Sequence, residues 1–142
     1  MGQDILALDV GTSGLKAGVY TSELDQRVVV SRSYDIRVDG ARAEGSPEGW
    51  WSAISDACAE IRPHLAEVGV VTSGVTTPGL TPMAADGRAL GPAILMMDGR
   101  SHAQAAAIRA AYGEERFLEE SCNLPVSGGS SLASILWIRD EQ

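Results

Sequence analysis

A tight turn between two apolar segments restricts the fold of this chain more than any other feature of its sequence. Residues 4–10 and 15–20 carry mostly apolar side chains, and the glycine-bearing residues 11–14 separate them. Two apolar segments joined by so short a turn predict a β-hairpin. A third segment of strand character, residues 27–34, follows at a short spacing. We therefore expect the first three strands to form an antiparallel meander.

An amphipathic helix is predicted next, after a polar stretch at residues 35–46 that we interpret as a loop. Ser46, Pro47 and Glu48 supply a capping hydroxyl, a proline in the first turn and an acid at the positive end of the helix dipole. The apolar residues 68–75 follow the helix, and a strand reached by such a crossover lies parallel to its neighbour. This order of elements predicts an α/β fold with a mixed sheet.

The second half of the chain predicts short strands and further helices. The pair Asp86-Gly87 favours a hairpin turn between residues 80–84 and 88–90, and a strand is expected at residues 93–97. Helices are expected at residues 101–112, ending at Gly113, and at residues 114–122. The last helix, capped by Ser130 or Ser131, is expected to bury a face made of Leu132, Ile135, Leu136 and Trp137.

Charge and cysteine content exclude several classes of function. The formal net charge is −8, which argues against a nucleic-acid or anionic-membrane partner, since either would require a basic surface. No apolar stretch approaches the roughly 20 residues of a membrane span. Cys58 and Cys122 lie far apart and outside any metal-binding spacing, which predicts two reduced core thiols. We expect a cytoplasmic protein with no structural zinc.

The residues DVGTSGLK at positions 9–16 have the chemistry of a phosphate site. Glycines in a turn let backbone amides approach an anion closely, and the two hydroxyls and the lysine add donors and positive charge. An acid at the end of a buried strand suits Mg²⁺, which binds few carboxylates and keeps several waters. The candidate metal ligand is Asp9, and the candidate phosphate-binding residues are Gly11, Thr12, Ser13, Gly14 and Lys16.

This segment differs from the common nucleotide-binding loops. The spacing GxxxxGK[ST] is absent, no helix is predicted directly after the turn, and the GxGxxG pattern is absent as well. The turn alone would also suit a plain β-hairpin. Asp9 favours a binding site, because a carboxylate that ends an apolar strand is costly unless it is solvated, paired or metal-bound.

The stretch ALDVGTSGLK at residues 7–16 resembles the first phosphate motif of the FGGY carbohydrate kinases, which belong to the actin/hexokinase/Hsp70 superfamily. Landmarks similar to those of this family, the xylulose kinases among them, follow in register. They are residues 46–51 (SPEGWW), 70–74 (VVTSG), 86–88 (DGR), 91–95 (GPAIL), 98–100 (DGR) and 132–140 (LASILWIRD).

The resemblance implies a ribonuclease-H-like, actin-like ATPase domain that binds ATP with Mg²⁺ and transfers the γ-phosphoryl group to a sugar or polyol hydroxyl. It implies that residues 1–142 are the N-terminal part of the first of two domains, and that the rest of that domain and the second domain lie outside the chain. The family's aspartate general base also lies further on, so we assign no catalytic residue here. We expect the 142-residue chain alone to be inactive.

The substrate loop departs from the family pattern. Residues 76–80 (TTPGL) stand where xylulose kinases carry Gln-Met-His and glycerol kinases an Arg-Glu pair, and Ser134 replaces a frequent lysine. Asp98 and Arg100 are polar groups that suit either a substrate contact or a local salt bridge or helix cap. The candidate substrate-pocket residues are Thr77, Pro78, Gly79, Leu80, Met96, Asp98 and Arg100.

Three functions stay open from the sequence. The resemblance favours an ATP-dependent sugar or polyol kinase. The altered substrate loop leaves room for a non-catalytic or regulatory relative that kept the actin-like fold, and a kinase of another actin-like clan is a further alternative. The sequence leaves the sugar and any homo-oligomer undefined.

Overall fold

The computed structural model describes residues 3–141. Its strands, in chain order, are β1 (Asp4–Val10), β2 (Gly14–Tyr20), β3 (Gln26–Ser33), β4 (Arg37–Asp39), β5 (Arg42–Gly45), β6 (Val68–Val75), β7 (Gly79–Leu80) and β8 (Ala93–Leu95). Its helices are α1 (Pro47–Glu60), α2 (His102–Tyr112), α3 (Glu114–Ser121) and α4 (Ser131–Glu141), with a short 3₁₀ turn at Arg62–His64.

The chain divides into two compact units. The first contains the residues up to Ile36 together with Ser46–Thr76, and the second contains Arg37–Gly45 together with the residues from Thr77 onward. Among residues 3–141, none of the helices combines the length and apolar character that a transmembrane segment requires.

The first unit is built on a mixed sheet in the order β3-β2-β1-β6. Strands β1, β2 and β3 pair antiparallel, and β6 joins β1 in parallel after the α1 crossover, as the sequence predicts. Apolar residues alternate along the strands, so one face of the sheet packs on α1. The core residues of this layer are Leu6, Leu15, Ala17, Val19, Ala53, Ala57 and Ile61.

Helix α1 begins where the sequence predicts its cap. The Ser46 hydroxyl accepts a hydrogen bond from the Gly49 amide at 3.0 Å, and Pro47 occupies the first turn. Trp50 is half-buried whereas Trp51 is 70% exposed, because neighbouring residues on a helix cannot face the same layer.

The cap of α1 gives a first prediction. Replacing Ser46 with alanine leaves the Gly49 amide without its acceptor, so we expect the free energy of unfolding to fall by about 1 kcal/mol. Urea denaturation measures the change. Ser52→Ala is the matched control, since Ser52 is exposed on the same helix and alanine there raises helix propensity. Equal stability of the two variants would contradict the capping role.

The second unit contains a small antiparallel sheet in the order β4-β5-β8-β7. The prediction of a loop at residues 35–46 was therefore wrong. Its polar residues show no strand periodicity, but Gly40 takes a positive φ of 57° and closes a β4–β5 hairpin. Pairing with β8 then buries Ala43 and Glu44, so tertiary contacts rather than local sequence make this strand.

The turn at Asp86-Gly87 forms as predicted, but its flanking strands do not. The Ala84 amide donates to the Arg88 carbonyl at 2.8 Å, and Gly87 takes a φ of 85°. The pairing on either side is limited to a single bridge, Met83 to Ala89, within the described residues. Helix α2 ends at Gly113 with a φ of 89°, as its sequence predicts.

The predicted buried face of α4 forms only in part, because Leu136 and Trp137 are half-buried but Leu132 and Ile135 are not. Leu132 and Ile135 are 48% and 50% exposed, whereas Ala133 and Ser134 are buried. Helix α4 packs near α2, and small side chains allow such close approach. The cysteine prediction also fails in part, because Cys58 is half-buried but Cys122 is exposed.

Candidate functional site

The turn between β1 and β2 places the candidate phosphate and metal residues side by side in the first unit. Asp9 and Lys16 are direct partners in the β1–β2 ladder, and both are exposed. The Gly11 amide donates to the Gly14 carbonyl at 2.8 Å, which closes the turn. The Thr76 amide donates to the Val10 carbonyl at 2.9 Å, so the end of β6 lies next to the turn.

Gly11 and Gly14 lie where a side chain would have little room, although neither takes a positive φ. A Cβ atom on Gly11 would lie 3.1 Å from the Gly14 carbonyl oxygen, and one on Gly14 would lie 3.0 Å from the Arg32 carbonyl oxygen. Both distances are shorter than an ordinary contact. A side chain at Gly11 would crowd the turn itself and one at Gly14 would crowd β3, so either change requires the backbone to shift by a few tenths of an ångström.

The turn presents backbone donors that have no acceptor in the described part of the chain. Within residues 3–141, the amides of Thr12 and Ser13 donate to no acceptor. The hydroxyls of Thr12 and Thr76 lie 3.5 Å apart, at the limit of a hydrogen bond. Unpaired amides next to hydroxyls suit an anion, because each amide carries a fixed partial positive charge.

Asp9 and Lys16 border an open groove of about 300 Å³ on the face of the sheet that does not carry α1. Thr72 and Gly74 of β6 line the same groove. The groove therefore lies next to the turn, and the acid and the base that border it stand on neighbouring strands.

The side chains around the turn suit Mg²⁺ that binds together with a phosphate better than a metal ion held entirely by protein ligands. The described residues contain no cluster of three or more histidine, cysteine or acidic side chains that could hold a metal ion. Asp9 is a single exposed carboxylate beside the free amides of the turn. Mg²⁺ commonly binds through one or two carboxylates, phosphate oxygens and waters, so this site fits an ion that arrives with a phosphate.

Tyr34 is a residue of this site that the sequence analysis missed. Its hydroxyl lies 2.6 Å from the Gly11 carbonyl oxygen and 3.0 Å from that of Gly14. Burial, and then the Asp9 carboxylate, raise the pKa of Tyr34 above its ordinary value, so the hydroxyl stays protonated at neutral pH. A tyrosine after the third strand of a meander can reach the turn between the first two, which is the signal that could have found it.

In the second unit, Asp98 and Arg100 form a buried ion pair. Asp98 accepts hydrogen bonds from the amides of Ala43, at 2.8 Å, and Arg100, at 3.0 Å. The Arg100 Nη2 atom lies 2.8 Å from Asp98 Oδ2 and 2.9 Å from Glu44 Oε1. The guanidinium group also stacks 4.4 Å from the ring centroid of Trp137.

This environment holds the Asp98 carboxylate in its charged form. Burial alone would raise the pKa of Asp98, but hydrogen bonds from Arg100 and from the Ala43 amide outweigh it, so the pKa is lowered. The sequence left open a local salt bridge or a helix N-cap for Asp98 and Arg100. The salt bridge between them is present, and the N-cap of α2 is Ser101 instead. A contact of Asp98 or Arg100 with substrate stays a prediction.

The candidate substrate loop lies at one end of the β7–β8 pair. Gly79 and Leu80 form β7, with Gly79 opposite Leu95, so Pro78 and Met96 continue from the same end of the pair. Thr77 and Met96 are exposed, and the Thr77–Pro78 peptide bond is cis. This loop is polar mainly through its backbone and the Thr77 hydroxyl.

Comparison with known proteins identifies similar sequences along the whole described chain. Residues 5–142 match the model for the FGGY family of carbohydrate kinases, N-terminal domain. The xylulose kinase of Escherichia coli strain K12 is 26% identical over 142 residues, which cover 94% of this chain and 28% of that protein.

Solved structures show the same fold. The chain has a TM-score of 0.84 and 27% identity to a xyloylose kinase from Brucella ovis, covering 96% of this chain and 29% of that one. For the xylulose kinase from Rhodospirillum rubrum the TM-score is 0.86 and the identity is 24%. This match covers 99% of this chain and 30% of that one. The fold is thus part of an actin-like ATPase domain, as expected, and the chain spans less than a third of the length of these relatives.

Proposed function

Because this chain belongs to the FGGY family of carbohydrate kinases, we propose that it supplies the phosphate-binding hairpin of an ATP-dependent sugar or polyol kinase. Residues 1–142 form the N-terminal part of the first kinase domain in this proposal. The remainder of that domain, the second domain and the general base belong to the rest of the protein. The family match and the length of the relatives support this arrangement.

One observation supports the proposed nucleotide role above all others. The amides of Thr12 and Ser13 have no acceptor within residues 3–141, and the exposed Asp9 lies at the end of the strand that enters their turn. A plain structural hairpin has no need of both features. Together they match the needs of a charged phosphate and its Mg²⁺ ion.

The residues of the turn act by position and charge in this proposal. The amides and hydroxyls of Thr12 and Ser13 bind phosphate oxygens, and Lys16 offsets part of their negative charge. Asp9 would hold Mg²⁺ directly or through its waters, and the ion would neutralise phosphate charge. Phosphoryl transfer depends largely on such positioning and charge stabilisation, which a rigid β-hairpin provides.

The proposed substrate is a sugar or polyol that contacts the loop around Thr77 and Met96. The full proposed pocket comprises Thr77, Pro78, Gly79, Leu80, Met96, Asp98 and Arg100. The relatives named as xylulose kinases make a five-carbon ketose the first candidate. The loop differs from the substrate loops of xylulose and glycerol kinases, and its residues Pro78, Gly79 and Leu80 offer no side-chain hydrogen bond to a sugar hydroxyl.

The proposal is tested on the complete protein that contains this chain. We expect a thermal-shift screen of sugars and polyols with Mg²⁺ and ATP to raise the melting temperature for at least one compound, because a ligand at 100 times its Kd adds about 2.7 kcal/mol. A coupled assay should then show ADP formation that depends on that compound.

The 142-residue chain alone serves as the control and should show no turnover. If the complete protein binds ADP but phosphorylates none of the compounds, the non-catalytic alternative is favoured. If it binds no nucleotide, the proposed function is wrong.

A further inference from the structure

We propose that Tyr34 is a positioning residue for the nucleotide phosphates, acting through the backbone of the turn rather than by contact with the ligand. This inference rests on the proposed function of residues 11–14. The Tyr34 hydroxyl reaches the Gly11 carbonyl at 2.6 Å, and the Tyr34 amide reaches the Ser13 carbonyl at 3.2 Å. The hydroxyl also lies 3.0 Å from the Gly14 carbonyl oxygen, so this one residue contacts the turn at three peptide groups.

The Tyr34 hydroxyl holds the peptide between Gly11 and Thr12 by its carbonyl oxygen. This peptide is trans, and in a trans peptide the carbonyl and the N–H point in opposite directions. When Tyr34 holds the Gly11 oxygen, the Thr12 N–H is therefore directed away from the tyrosine. Its unpaired state within residues 3–141 agrees with this orientation.

Among the described residues, the turn at 11–14 lacks the hydrogen bond that usually closes a reverse turn. In such a turn the carbonyl of the first residue accepts from the amide of the fourth. Here the bond runs the other way, from the Gly11 amide to the Gly14 carbonyl at 2.8 Å, and Tyr34 satisfies the Gly11 carbonyl instead. Without the hydroxyl, that carbonyl has no protein donor among the described residues, so the peptide is freer to rotate.

Packing of the aromatic ring holds the Tyr34 hydroxyl in place. The Tyr34 ring is half-buried against the core and lies 6.5 Å, centroid to centroid, from the Trp50 ring at a tilt of 58°. A donor held in this way keeps the Thr12 amide oriented before the nucleotide arrives. Preorganisation of this kind raises affinity because less conformational freedom is lost on binding.

Tyr34→Phe removes only the hydroxyl and tests the proposal in the complete protein. A neutral hydrogen bond contributes about 0.5–1.5 kcal/mol, so we expect the Kd for ADP, measured by calorimetry, and the KM for ATP to rise about three- to tenfold. The KM for the sugar should stay unchanged. In nucleotide-free protein, amide hydrogen exchange should become faster in the peptide that contains residues 11–14.

Tyr112→Phe is the matched control, because it removes a tyrosine hydroxyl that is hydrogen-bonded to Glu120 on the surface of the second unit. An ADP Kd and a hairpin exchange rate equal to those of wild type would overturn the inference. Faster exchange throughout the first unit without a change in ADP Kd would overturn it as well. Failure of wild-type protein to bind ADP would instead refute the proposed function, so the two failures are distinguishable.

Discussion

Replacing Asp9 with asparagine is expected to lower kcat/KM of the complete protein about 10²- to 10³-fold, comparable to the loss of one preorganised charge-stabilising group in other active sites. The substitution keeps the size of the side chain and removes its charge. Because Asp9 is exposed, we expect the melting temperature to change little. Turnover measured over a range of Mg²⁺ concentrations should show that half-maximal activity requires more metal.

Asp25→Asn is the matched control for this experiment. Asp25 is also exposed in the first unit, in the connection between β2 and β3, and should tolerate the change without loss of activity. An Asp9→Asn enzyme with wild-type turnover and metal dependence would contradict the assigned role. A large drop in the melting temperature would instead indicate a structural role for Asp9.

The second large effect is expected from Asp98→Ala in the second unit. The substitution leaves the Arg100 guanidinium without its main partner and the Ala43 amide without an acceptor. Breaking a buried ion pair by removing one partner typically costs 3–5 kcal/mol, so we expect urea unfolding to show a loss of about that size. Asp39→Ala, at an exposed position of β4, should change stability by less than about 0.5 kcal/mol.

The pH dependence of stability tests the same ion pair independently. The pKa of Asp98 is lowered in the folded protein, so its contribution is present above the pKa of an unfolded aspartate, about 3.9. The contribution is lost as the pH falls through the lower folded value. Wild-type protein should therefore lose stability below about pH 4 more steeply than Asp98→Ala does. Equal slopes would indicate that the carboxylate is not held in its charged form.

The sequence predicted the first unit well because local pattern and tertiary role agree there. The glycine-bearing turn, the alternation of the strands and the cap at Ser46 each indicate the element that forms. The positions of Asp9 and Lys16 on adjacent strands follow directly from the short turn. Sequence alone did not reveal Tyr34, because its contacts with Gly11 and Gly14 join residues more than 19 positions apart.

The second unit shows where sequence patterns are insufficient. Strand β5 forms because β8 lies beside it, and its polar residues carry no periodic signal. In α4 the apolar residues indicated one face, but the small Ala133 and Ser134 are the ones buried. Helical periodicity identifies faces, but the neighbours available for packing decide which face is covered.

The amino-acid sequence by itself determined the hairpin, the mixed sheet and the chemistry of residues 9–16, because these depend on turn length, side-chain alternation and residue type within a few positions. Tertiary structure alone decided which peptide groups of the turn are satisfied and which amides have no partner among residues 3–141. It also decided that Asp98 is enclosed by donors from Ala43 and Arg100. Hydrogen-bond partners and burial depend on residues distant in the chain, and only the folded arrangement brings them together.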